Sequence, residues 1–202
     1  MANLACENCG AALPIKNQFV RTATCEFCGS TYVVRGSDSL ESTGKAASLA
    51  DYPSRLRVGM TGKVKGKPFT VIGRVRYHYD TGYWEEWQIQ WEDGSPPDWL
   101  EEDEGLWTLY HRERVRSAIP AFDQIRVGAT VAVNTYQVYI TEKRTGKVAG
   151  QEGQFSSVLP LQGTFSYFEG AANNSAVSVN YWQEEIELSV GEDLEFQDMV
   201  ID

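Results

Sequence analysis

Between residues 69 and 91 apolar and polar side chains alternate with a period of two on both sides of a short break, Asp80-Thr81-Gly82. In the first half Phe69, Val71, Gly73, Val75, Tyr77 and Tyr79 fall on one face, and Thr70, Ile72, Arg74, Arg76 and His78 on the other. In the second half Trp87, Ile89 and Trp91 share a face against Glu86, Gln88, Gln90 and Glu92. This pattern restricts the backbone to an antiparallel strand pair with one buried face, because a slip of one residue would move the whole apolar set into water. A three-residue turn with Gly82 at positive φ predicts Val75 opposite Trp87, Gly73 opposite Ile89 and Val71 opposite Trp91. The same register sets Arg76 opposite Glu86 on the outer face.

No segment sustains a helical period over ten residues, so the body is expected to be all-β. Further strands are predicted near 130–140, 147–154, 164–169, 176–182 and 185–190, divided by Gly, Asn and Pro turns. Self-comparison at an offset of 69 aligns Leu56-Arg57-Val58-Gly59 with Ile125-Arg126-Val127-Gly128, then Val64 with Val133, Phe69 with Val138 and Val71 with Ile140. This predicts two related small antiparallel β units, 54–117 and 118–202, either barrel- or sandwich-like. Five of the six tryptophans lie between Trp84 and Trp107. The alternation assigns Trp87 and Trp91 to a core and Trp84 to the opposite face.

All four cysteines sit in Cys6-Glu7-Asn8-Cys9-Gly10 and Cys25-Glu26-Phe27-Cys28-Gly29. Two thiolates three positions apart, on a turn closed by glycine, occupy adjacent corners of a tetrahedron, and the second pair completes a closed four-thiolate site. Structural Zn²⁺ is the expected ion, with disulfides as the competing reading in an oxidising compartment. Residues 1–35 therefore read as a zinc ribbon. A segment of that size buries too little surface to fold without its metal. Residues 36–53, small and polar, read as a flexible linker.

The net charge of −10 argues against a general nucleic-acid coat. It is unevenly spread: residues 118–202 hold 4 basic against 12 acidic side chains, whereas no acid interrupts the cations from Arg55 to Arg76. No stretch is apolar enough for a membrane span, and the N-terminus has no basic flank or apolar run, so a cytoplasmic protein is expected. With both histidines, His78 and His111, on polar faces and every cysteine committed to metal, no catalytic residue is nominated. The acidic runs 101–104 and 184–187 read as solvated turns. Glu142, directly after an alternating strand, is expected to pair with Arg74 or Arg76.

Gly59, Gly62, Gly66, the Val71-Ile72-Gly73-Arg74 run, Tyr77, Trp84, Glu86, the Asp93-Gly94 turn and Trp99-Leu100 resemble a bacterial family described as domain of unknown function 4178. In the second half the resemblance rests on Val138, Glu142, Gly153, Leu159-Pro160, Tyr167 and Glu184-Glu185-Glu187 with Gly191. Where the family pattern has an aspartate after Tyr167, this chain has Phe168-Glu169. The resemblance implies an N-terminal zinc ribbon before the domain, and no activity. Three functions follow as expectations. The first is a non-enzymatic adaptor whose ribbon and β platform meet a protein partner. The second is a small-molecule site or enzyme in a cleft formed by Arg74, Arg76, His78, Trp84 and Glu86. The third is nucleic-acid binding by the basic stretch 55–76, which the overall charge disfavours.

Overall fold

The chain begins with short ladders built round the cysteines. β1 (Asn3–Ala5) pairs with β2 (Ala12–Pro14); β3 (Thr22–Thr24) pairs with β4 (Ser30–Arg35), which pairs with β5 (Ser39–Lys45). The computed structural model describes residues 3–36, 39–50, 54–183 and 185–202. The stretch expected to be a linker thus contributes a strand of seven residues. Its positions 37, 38 and 51–53 lie outside the described residues, as does Glu184 of the second acidic run.

β6 (Thr61–Val64) and β7 (Lys67–Tyr79) form a hairpin, and β7 continues into β8 (Gly82–Trp91), β9 (Asp98–Asp103) and β10 (Leu106–Glu113). The second half repeats this order with β11 (Thr130–Val133), β12 (Tyr136–Phe155), β13 (Thr164–Ala172), β14 (Ser175–Tyr181) and β15 (Ile186–Leu194). β16 (Met199–Ile201) returns to pair with β6. The two halves do not close separately. β10 pairs with β15 and β12 with β7, so four strands from each half form one closed antiparallel barrel, in the order β7-β8-β9-β10-β15-β14-β13-β12.

The repeat at offset 69 is visible in the backbone. Gly59 N donates to Val71 O, Met60 N to Arg57 O and Val71 N to Met60 O; 69 residues later Gly128 donates to Ile140, Ala129 to Arg126 and Ile140 to Ala129. Lys65 and Asn134, also 69 apart, both adopt positive φ in the following turn, at 49° and 51°. A register shift follows Val71 in β7 and Ile140 in β12, again at matching positions.

That shift corrects the sequence-derived hairpin. The turn holds two residues, Asp80-Thr81, because Tyr79 faces Gly82, and the register becomes Val75–Glu86, Arg74–Trp87 and Arg76–Glu85. Beyond the bulge Val71 faces Ile89 and Phe69 faces Trp91. An extra residue re-phases a strand. β7 therefore presents Val75 and Tyr77 on one face near the turn, and Phe69 and Val71 on the other face at its far end.

Three apolar layers result. Val75, Tyr77, Trp84, Trp99, Tyr110, Val148, Phe165 and Tyr167 come from six strands and converge in the barrel interior. Trp84, expected opposite the core, is 7% exposed in this layer. Phe69, Val71, Trp87, Ile89, Trp91 and Leu100 lie outside the wall under Leu56, Val64 and Met199. The repeat-related layer of Val138, Ile140, Phe168, Val177 and Val179 lies under Ile125 and Val133.

β7 and β12 cross at Gly73 and Gly153. A Cβ on Gly153 would stand 2.4 Å from Ile72 O, and one on Gly73 would stand 2.4 Å from Gln154 O. Gly153 also holds φ +84°, a conformation shared by Gly66 at +81°, whose Cβ would meet open space. Comparing the two isolates the clash from the backbone strain. Gly66→Ala is expected to cost about 1–2 kcal/mol, and Gly153→Ala about 1–3 kcal/mol more through overpacking. Urea unfolding midpoints measure both.

Candidate functional site

The two knuckles are built alike. Gly10 N donates to Cys6 O and Gly29 N to Cys25 O, both at 2.8 Å, with Gly10 and Gly29 at φ +74° and +72°. These turns bring Cys6, Cys9, Cys25 and Cys28 together, with all four Sγ atoms within 4.8 Å of one another. Cys6 and Cys28 lie 3.5 Å apart, and Cys9 and Cys25 3.7 Å. The edge of a tetrahedron with metal–sulfur bonds near 2.3 Å is about 3.8 Å, so the donor set fits a thiolate-bound metal ion. The Tyr32 hydroxyl, 3.2 Å from Cys6 Sγ, and Ser30 Oγ, 3.2 Å from Cys28 Sγ, supply outer hydrogen bonds. Leu13, Val20, Ala23 and Val34 cover the inner side. Four sulfurs would fill a tetrahedron round such an ion.

The residues expected to form a polar cleft are divided by the barrel wall. Arg74 and Arg76 lie on its outer side and are 5% and 2% exposed. Both hold Glu85 Oε1: Arg74 Nη2 at 2.5 Å, Arg76 Nε at 2.7 Å and Arg76 Nη2 in a further short contact. Arg74 also reaches Glu152 at 3.3 Å, and Arg76 donates to Ala50 O at 3.1 Å. This cluster ties the chain after β5 to the barrel. His78 is exposed, while Trp84 and Glu86 face the interior, with Trp84 Nε1 donating to Glu86 at 3.3 Å. The corrected register explains the division, because Arg76 pairs with Glu85 and Glu86 joins the other face. Glu142 pairs instead with Arg144 at 3.2 Å and accepts the Tyr167 hydroxyl at 2.8 Å.

The interior carries charge that sequence reading missed. Residues 101–103, read as part of a solvated turn, belong to β9, and Glu101 faces Glu86 across the ladder. Burial raises the Glu86 carboxyl to about 7 against the opposing pull of Arg112. Burial, with Glu142 nearby, raises Glu169 to about 7, and Glu101 is pushed up by burial and by Glu169 and Glu86. Arg112 reaches Glu187 in this space. The available signal was the inward parity of positions 86, 101 and 169, legible only once the register is fixed.

One family model matches the chain, over residues 57–196, and its description is "Domain of unknown function (DUF4178)". No curated protein and no solved structure gave a match.

Two outcomes follow from this geometry. Replacing Cys25 by Ser is expected to abolish stoichiometric metal binding, read by elemental analysis of the purified chain, and to expose the amides of β3 and β4 to hydrogen exchange. The second concerns pH. Glu86 keeps its proton to about 7 when folded, against an ordinary value of 4.5. Between these values the folded state binds more protons than the unfolded one, so stability is greatest below the ordinary value and falls as pH rises through about 7. Glu86→Gln is expected to flatten that fall in a series of urea midpoints.

Proposed function

From the premise that the chain belongs to the DUF4178 family, we propose that it is a non-enzymatic adaptor in which a structural Zn²⁺ holds a ribbon that, with the barrel, meets a protein partner. Zn²⁺ suits four thiolates in a closed tetrahedron, and a reducing compartment would keep those thiolates available as ligands. One observation carries the reading. The ribbon sheet is hydrogen-bonded into the barrel wall through β3 and β12, at Ala23–Gln154 and Thr22–Phe155, and ends in the exposed strand β5.

A strand at the end of a ladder offers its outward N–H and C=O groups to an extended peptide, and its side chains select the peptide. Most β5 side chains are polar and exposed, with Glu41 paired to Arg35 at 3.0 Å and Leu40 turned onto the ribbon core. The rigid joint to the barrel fixes this edge relative to the rest of the molecule, which favours recognition of one partner geometry.

Alternate residues of a strand direct N–H outward, so of Glu41→Pro and Ser42→Pro one removes an outward donor and spares the inner ladder. Affinity capture with cross-linking mass spectrometry is expected to yield a partner cross-linked to residues 39–45. That partner should be lost with the proline variant whose melting temperature is unchanged. Capture that ignores both variants, or turnover of a small molecule by the purified chain, would remove the adaptor reading.

A further inference from the structure

We propose that the cleft between the ribbon and the barrel is a binding site for a small organic anion. The cleft has a volume of about 490 Å³, within the range of roughly 300–1,000 Å³ usual for small-molecule sites. It opens where β3 joins β12, with Arg21 on the ribbon side and Lys67, Asp98, His111 and Arg112 on the barrel side. Arg21, Lys67 and Arg112 bring three cations to the lining, in a chain whose net charge is −10. Cations set in a concave surface draw anions toward it.

Asp98 is the one acid among these five titratable side chains, while Asp93 pairs with Lys67 and Glu187 with Arg112. Asp98 accepts the Trp91 indole N–H at 2.8 Å, and burial raises its carboxyl above the ordinary value. The Arg21 guanidinium donates to the backbone oxygens of Gln18 and Val20, each at 3.2 Å. Arg112 spends one side of its fork on Glu187 inside the barrel, and its Nε, though buried, has no acceptor among the described residues. Lys67 lies over the Trp91 ring at 4.3 Å, with Ser95 Oγ at 2.9 Å and Asp93 at 3.2 Å. Phe19, Pro96 and Pro97 give the cleft apolar walls. Cations beside apolar walls suit a molecule with a charged group and a flat or apolar body.

The test uses the full chain and the dye 8-anilinonaphthalene-1-sulfonate, an aromatic anion, followed by fluorescence titration. Saturable binding with one site is expected, weakened about tenfold or more by Arg21→Gln or Lys67→Met, as for loss of a charge-assisted contact. Lys147→Gln, opposite His78 at the other end of β7, should leave the affinity unchanged. Melting temperatures of each variant separate lost binding from lost folding, and amide shifts of Ser95 and His111 on dye addition locate the site independently. Competition by inorganic phosphate but not acetate assigns the natural ligand to phosphate esters, and the reverse assigns it to carboxylates. Displacement by neither, equal binding by all variants, or shifts confined elsewhere would overturn the proposal.

Discussion

Every backbone N–H and C=O withdrawn from water needs a partner, and in this fold meeting that requirement along β12 is what joins the separate parts of the molecule. Its residues pair in turn with β11, β13, β7 and β3. The first two pairings complete the second half, the third closes the barrel, and the last attaches the ribbon. The contact with β7 depends on Gly73 and Gly153, where the two backbones approach too closely for side chains. A barrel has no free edge, so closure by β7–β12 and β10–β15 leaves unpaired strand edges to the appended pieces, among them β5, β11 and β16.

The parts of this structure that were legible in the sequence are those set by neighbouring residues. Period-two alternation marked β7 and β8, the offset of 69 marked the two halves, and the cysteine spacing marked the cluster of four sulfurs. What escaped depends on distant backbone. The turn after Tyr79 is one residue shorter than Gly82 suggested, and the bulge after Val71 changes which side chains share a face. The shorter turn puts Arg76 with Glu85 outside the wall and Glu86 inside it, and so divides a supposed cleft into two environments. β5 was invisible for another reason: apart from Leu40 its residues are polar or glycine, so no alternation marks it, and its order comes mainly from backbone pairing with β4.

Charge is buried in two different ways. Outside the wall, Arg74, Arg76, Glu85 and Glu152 neutralise one another through short hydrogen bonds, an arrangement that fixes geometry more than it adds net stability. Inside, Glu86, Glu101 and Glu169 crowd together with Arg112 as a nearby cation, and their protons are held to higher pH because low dielectric and like charge both disfavour ionisation. The aromatic packing of Tyr77, Trp84, Phe165 and Tyr167 around them limits the water that could relieve that cost.

The matching turns and bulges of β7 and β12 mean that each half is laid out as a near copy of the other, yet the copies differ in length: β12 has 20 residues where β7 has 13. The added length at the end of β12 is what reaches β3. An otherwise two-fold design is thereby made lopsided, and whatever docks beside the ribbon finds one berth on this molecule rather than a pair.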